Sequence, residues 1–416
     1  MHRFLLLLLT GVLISACQSG QSSVEDRALR IHEAVLTVDT HIDWPSHQFR
    51  NPEFDPGKRH EPGRLTSGQW DLVRMKEGGL DAVFMSIFTR QGPRTEEGHR
   101  KAKDHAERLI QITRNMVSQY PNLAELALTP DDAYRIEKGG KRAIFMGMEN
   151  GYPIGTDIRN VRYFYDLGIR YITLTHSSNN ELGDSSTDKK QEWSGLSPLG
   201  EKVVREMNRL GIMVDISHVH DETFWDVIKL TQAPVIASHS SARALCDHPR
   251  NMSDDMLRAV KENGGVVQLC LLGNYIKKMP QDSAYLAARR KLRPKFMAFF
   301  QGTMSAEERA AFEAEYMKLR DMAPRPTLED AVDHIDHMVQ VMGIDHIGIG
   351  SDFDGGGGLK GIDDVLDMPN LTRALLKRGY SEEDIRKIWG GNLMRVFREV
   401  QAVAERLQTA EKPSAE

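Results

Sequence analysis

Cysteine is scarce: three occur in 416 residues, and one of these, Cys17, lies at the end of an apolar leader. The two that remain, Cys246 and Cys270, define no disulfide framework, and sequence alone does not bring them within bridging distance. Cys270 ends the apolar run Gly265-Val266-Val267-Gln268-Leu269-Cys270 and reads as a buried free thiol. Blocks of basic residues are absent too, which argues against nucleic acid, and a net charge of -5 says little more about partners. No repeat or low-complexity tract is present, so the chain reads as an ordinary globular protein of α/β-barrel size.

The first residues stand apart from the fold. Phe4 to Ile14 is apolar but too short to span a bilayer as a mature helix. The following Ile14-Ser15-Ala16-Cys17 resembles the bacterial lipobox, in which the cysteine becomes the lipid-modified first residue. Residues 1–17 are therefore expected to be a lipoprotein signal peptide and 18–24 a tether, with a membrane anchor on Cys17. Gln18 after the cysteine resembles lipoproteins sorted to the outer membrane, facing the periplasm, if the source is Gram-negative. The alternative is an ordinary signal peptide with an incidental cysteine.

The run from Val35 to Asp43 (Val-Leu-Thr-Val-Asp-Thr-His-Ile-Asp) has the residues of a strand buried on both faces. His41 and Asp43 stand at i and i+2 and so point the same way, toward one point where a divalent cation fits. The bland alternative is a satisfied histidine followed by a capping aspartate. What decides is recurrence. Strands are expected at 79–88, 143–148 (ending in Glu149), 169–175 (His176), 212–217 (His218), 234–238 (His239), 266–271 and 344–351 (Asp352). Helical patterns separate most of them, among them 96–119, 197–210, 221–230, 253–262 and 327–342. Eight strands alternating with helices predict a TIM-type (β/α)8 barrel over about 25–408, with a polar tail at 409–416. In such barrels the C-terminal strand ends build the active site, and six of the eight end in His, Asp or Glu.

These motifs, together with Ser238-His239-Ser240-Ser241-Ala242-Arg243, Arg250-Asn251, Gly350-Ser351-Asp352-Phe353-Asp354-Gly355 and Gly391-Asn392-Leu393, resemble the membrane (renal) dipeptidase family from about Val35 to Val400. The resemblance implies a binuclear zinc barrel of the metal-dependent amidohydrolase type. It implies hydrolysis of free dipeptides, including those with a C-terminal D-residue, by attack of a metal-bridging hydroxide. Carried over by position, His41 and Asp43 hold one zinc, His218 and His239 the other, and Glu149 bridges them. No lysine stands at a strand end as a rival bridge after carbamylation. His176, Arg250 and Asp352 match substrate-binding and catalytic positions: an oxyanion donor, a fork for the terminal carboxylate, and a proton carrier that also meets the ammonium. Manganese or cobalt are possible substitutes for zinc. A lactonase, deacetylase or β-lactam hydrolase on the same barrel, or a binding lipoprotein without turnover, are the rival functions.

Other polar residues carry less. Asp333, His334, Asp336 and His337 read as the solvated face of an outer helix, and His346 lies at the stability end of its strand. Asp39 and Asp215 read as structural supports for the ligands. His47 and His220 are near motifs and are candidates for substrate contact, and 355–358 is a four-glycine run read as a mobile rim. The charged insert at 273–325 and the loop at 179–195 both follow barrel strands and are expected to form a lid or a dimer contact.

Overall fold

A computed structural model describes residues 23–63, 66–280, 282–300 and 303–410; Cys17 and the expected leader lie outside them. Nine strands form one parallel sheet: β1 (Val38–Ile42), β2 (Ala82–Phe88), β3 (Ala124–Leu126), β4 (Arg142–Glu149), β5 (Ile169–Thr173), β6 (Met213–Asp215), β7 (Ile236–Ser240), β8 (Val266–Cys270) and β9 (Ile347–Gly350). The order is β1-β2-β4-β5-β6-β7-β8-β9, with β3 paired to the outer side of the path at β4. All eight expected strands are present. Only β3 is additional.

Between β9 and β1 the barrel closes on a few bonds rather than a full ladder. Ile42 bridges to Phe353, the Asp352 amide donates to the His41 carbonyl (3.0 Å), and the Asp43 amide donates to the Phe353 carbonyl (2.8 Å). Asp39 reinforces the join by accepting from the amides of His41 (3.0 Å) and Ser351 (2.9 Å) through one oxygen. This is the supporting role expected of it. Burial raises its pKa to about 6.

The barrel interior is filled by side chains, as its size requires. Phe84, Phe145 and Tyr171 stack with centroids 4.6 and 5.5 Å apart, and Phe397 of the helix Asn392–Ala410 meets Phe145 from below. That helix runs two residues past the expected domain end at 408. Gly147 makes room for the stack: a Cβ there would lie 2.0 Å from the Tyr171 ring. Helix starts follow their caps. Thr129 and Thr327 each form a capping box with the aspartate three residues on, and Ser197 caps a helix opening with Pro198.

The insert contributes a short turn of helix (Gly273–Ile276) and then two long helices, Ser283–Phe300 and Ala306–Met322, packed on one another around Leu292, Phe312 and Leu319. Cys246 and Cys270 are both free and buried.

Candidate active site

The strand ends deliver their polar side chains to one place. Glu149, at the end of β4, is the centre. Its Oε1 lies 3.2 Å from His218 Nε2 and 3.6 Å from His239 Nε2 and from His176 Nε2; its Oε2 lies 3.3 Å from His41 Nε2. Ser86 of β2 donates to that Oε2 at 3.1 Å and fixes the carboxylate plane. His41 Nε2 is also 3.5 Å from Asp43 Oδ2. Three groups can each hold a cation: His41, Glu149 and His239; Glu149, His176 and His218; His41, Asp43 and Asp352. The grouping differs from the one that the resemblance implies, because the His239 ring leans to 3.9 Å from His41 and His176 joins the cluster.

Hydrogen bonds behind the rings fix their tautomers. The Asp215 carboxylate accepts from the Ser238 hydroxyl (2.6 Å), so Ser238 Oγ must in turn accept from His239 Nδ1–H (2.8 Å). The Tyr171 hydroxyl donates to the Thr40 carbonyl (3.2 Å), so it accepts from His41 Nδ1–H (2.9 Å). Both Nε2 lone pairs are thereby aimed into the cluster, the arrangement by which metal-ligating imidazoles are oriented. Asp215 acts as the support it was read to be.

The charges agree. Burial, then the positive field of Arg250 or the neighbouring imidazoles, keeps His218 and His239 neutral, well below the ordinary histidine range. Burial opposes ionisation of Glu149, but His41 and His176 outweigh it and hold the carboxyl well below its usual range. Burial likewise opposes protonation of His41, and Tyr171 and Glu149 outweigh it, so its pKa is raised and Nε2 holds a proton that a cation would displace to reach the lone pair. For Asp352, burial and then Asp43 push the pKa well up.

Two observations test whether a metal suits this place. His41 Nε2 and Asp43 Oδ1 are buried without a hydrogen-bond partner, a costly state that a cation relieves. His218 Nε2 and His239 Nε2 face one another at 2.9 Å, aimed at one region beside Glu149 Oε1. A donor set of imidazole nitrogens and carboxylate oxygens fits a borderline divalent ion.

The backbone is bent to make these approaches. Asn150, His218 and Asp352 have φ of 77°, 69° and 62°, each worth about 1–3 kcal/mol of strain that the surrounding bonds must offset. Gly355 lies so close that a Cβ would meet Asp43 Oδ2 at 2.1 Å and Asp352 Oδ1 at 2.3 Å. The four-glycine run is not a loose rim: the amides of Gly355, Gly356 and Gly357 all donate to the Asp352 carbonyl.

Arg250 is buried beside the cluster, with Nη2 on the His239 carbonyl (2.9 Å), its guanidinium 5.2 Å from the Tyr275 ring, and Nε without a partner. His176 is part-exposed and packs against Phe88 (4.7 Å). His47 lines the cavity, whereas His220 bonds Gln191 and caps the helix Asp221–Leu230. His346 takes the Gly265 carbonyl (2.8 Å) in a turn before β9. Asp333 and Asp336 pair with Arg378, and His337 with Asp254. His334 departs from the expected solvated face: it is buried, with Nδ1 accepting from the Ala242 amide (3.1 Å) and Nε2 donating to the Ile276 carbonyl (2.8 Å).

Tyr171, Ser238, Ser86 and Tyr275 were not singled out from the sequence. Tyr171 sits in an apolar run and looks like a core ring, and Ser238 looks like the small neighbour of a ligand; their partners are revealed only by the fold.

Above the cluster lies a cavity of about 890 Å³, walled on its outer side by the helical pair of the insert. A parallel barrel with imidazoles and carboxylates converging at its C-terminal strand ends defines a metal-dependent hydrolase of the amidohydrolase type. The membrane dipeptidase family (peptidase family M19) matches residues 25–411. Dipeptidase tcpJ of Claviceps purpurea is 35% identical over 373 residues, covering 88% of this chain and 77% of that one. Dipeptidase 3 of Mus musculus is 32% identical over 391 residues, covering 92% and 68%. The crystal structure of the probable dipeptidase PvdM from Pseudomonas aeruginosa superposes with a TM-score of 0.78 at 33% identity, covering 92% of this chain and 99% of that one. The chain belongs to the membrane dipeptidase family and is a metal-dependent dipeptidase.

Proposed function

We propose that this dipeptidase works with two zinc ions, held by His41 and Asp43 on one side and His218 and His239 on the other, with Glu149 shared between them. The observation that carries this is the division of Glu149: Oε2 faces His41, and Oε1 faces His218 and His239. When bound, such a pair supplies an activated water at neutral pH and a positive charge for the developing oxyanion. The chain supplies the rest. Arg250, buried and with a free Nε, pairs with the substrate's terminal carboxylate. Asp352, whose raised pKa suits a carboxyl that takes and returns a proton, serves as base, meets the substrate ammonium and protonates the leaving amine. His176 donates to the oxyanion from the open side of the cluster. Fixing both termini of the substrate selects free dipeptides, because a longer peptide carries no carboxylate at that distance. Tolerance of a C-terminal D-residue belongs to the same reading and rests on the family resemblance. Manganese or cobalt would suit the same donors.

The lipobox supports a mature chain beginning at Cys17, exported and attached to the cell envelope, at the periplasmic face of the outer membrane in a Gram-negative cell. Among the described residues no helix is long and apolar enough to cross a membrane. Cys17→Ala should release the enzyme from the membrane fraction.

The test of the site is to express the protein without residues 1–17, determine its metal content, and assay L-L and L-D dipeptides. About two zinc per chain with chelator-sensitive cleavage is expected. Activity that survives complete metal removal would overturn the proposal.

A further inference from the structure

The cavity is larger than its chemistry requires. At about 890 Å³ it lies near the top of the range for pockets that enclose drug-sized ligands, roughly 300–1,000 Å³, although the reaction needs only the space around one peptide bond. The helical pair walls part of that room, and its Tyr285, Arg289, Arg309 and Tyr316 all line the cavity.

The carboxylates of the outer wall are engaged within the protein, although Asp354 Oδ2 is buried without a hydrogen-bond partner. Asp363 receives both Arg320 (2.5 Å) and Arg325, which leaves a positive surplus there. Asp364 is paired with the buried Arg74 at 3.0 Å, and Asp354 accepts the Gln69 amide at 2.6 Å. Arg289 and Arg309 have no carboxylate partner among the described residues, and neither does Arg50 on the facing wall. The floor gathers carboxylates and imidazoles that suit cations. The roof presents guanidinium groups and aromatic rings along the same wall.

We propose that Arg289 and Arg309 form an outer subsite for an anionic group on the substrate's side chain, so that the enzyme prefers dipeptides with an acidic side chain to their neutral isosteres. The inference rests on the dipeptidase site described above. Guanidinium groups suit carboxylates by their planar fork, and the aromatic rings of the same wall offer apolar cover to the aliphatic part of the side chain. The arginines gain a partner only when such a substrate is bound. Selection therefore falls on the substrate and not on the reacting bond.

The experiment uses the metal-loaded enzyme and two matched pairs of substrates, Glu-Ala against Gln-Ala and Ala-Glu against Ala-Gln, with Ala-Ala as reference. At least one pair should show a kcat/KM ratio of about tenfold in favour of the acid, carried by KM. Each of Arg289→Ala and Arg309→Ala should lower that ratio by up to about fivefold, the value of a part-exposed ion pair. The double variant Arg289→Glu/Arg309→Glu should invert it. Ala-Ala turnover should stay within about twofold throughout. High salt should shrink the wild-type ratio, because these charges border solvent. A wild-type ratio near one for both pairs, or a ratio that survives the double reversal, would overturn the inference. So would loss of Ala-Ala turnover in the alanine variants. Ala-Ala turnover that follows metal content tests the two-metal reading separately.

Discussion

The floor of the cavity and its roof are built by opposite means. On the floor the reactive side chains stand on barrel strands or just past their ends, and three of them are fixed by a second group: Tyr171 behind His41, Ser238 and Asp215 behind His239, Ser86 beside Glu149. The roof is two helices around three buried apolar residues, with Arg289 and Arg309 on long side chains that no carboxylate braces among the described residues. Positions that must hold reacting atoms to a fraction of an ångström lie on the barrel, while the wall that meets variable side chains hangs from an insert. The division follows from packing: only a dense core can over-determine a rotamer, and three residues cannot.

The largest effect should come from breaking the floor at its centre. Glu149→Gln keeps the volume but removes the charge shared by both cation groups, and it turns an NH2 toward a cation. The variant should purify folded by circular dichroism yet lose bound metal and more than about a thousandfold in activity, beyond the 10–100-fold that an outer partner costs. Full occupancy with near-normal turnover would mean that Glu149 is not shared. Arg250→Ala comes next. On dipeptides it should cost roughly 2–4 kcal/mol of transition-state binding, and on substrates lacking a free carboxylate almost nothing. Equal loss on both would favour a hydrolase that does not read the carboxylate. Tyr171→Phe removes one hydroxyl and leaves the ring stack. A tenfold to hundredfold loss of metal affinity by equilibrium dialysis, in a variant whose circular dichroism matches the wild type, is the expected result.

The smallest effect concerns the joint between floor and roof. His334 ties Ala242, just past β7, to Ile276 at the root of the insert, and the bond accepted by Nδ1 requires the neutral ring. Burial lowers its pKa below the ordinary 6.5. Above about pH 6.5 neither the folded nor the unfolded chain protonates it, so its contribution is complete; as pH falls below that value the unfolded chain takes up the proton first and stability is lost. Melting temperatures between pH 7.5 and 5.5 should therefore fall more steeply for the wild type than for His334→Gln. Parallel slopes would show that the ring is not held neutral.

Sequence periodicity was enough for the eight barrel strands because a strand buried on both faces leaves an apolar run, and each ended in a polar residue or a turn. It missed β3, whose three residues Ala-Glu-Leu carry no period at all. The convergence of Glu149, His176, His218 and His239 was legible because parallel strands share one C-terminal end. The supports behind them were not, since Tyr171 and His41 lie 130 residues apart and nothing local links them. His334 could have been recognised as buried: it follows Ala331 by three positions and precedes Met338 by four, on the face that packs inward. The placement of the insert over the cavity is a tertiary fact, and its charged composition alone was compatible with either a roof or an exposed surface.

The sparse join between β9 and β1 has a consequence for the life of the enzyme. His41 and Asp43 belong to the first strand and the residues just after it, Asp352 to those just after the last, and the cation that the first two would hold faces the Asp352 carboxyl across the join. An ion held there would act as a clasp across the seam of the barrel, drawing together the two ends of the chain's circuit where only a few backbone bonds join them. Metal supply and durability are then one property: a cell starved of the ion would carry an unbuttoned barrel, more open to proteases as well as inactive, and refilling the clasp would restore both at once.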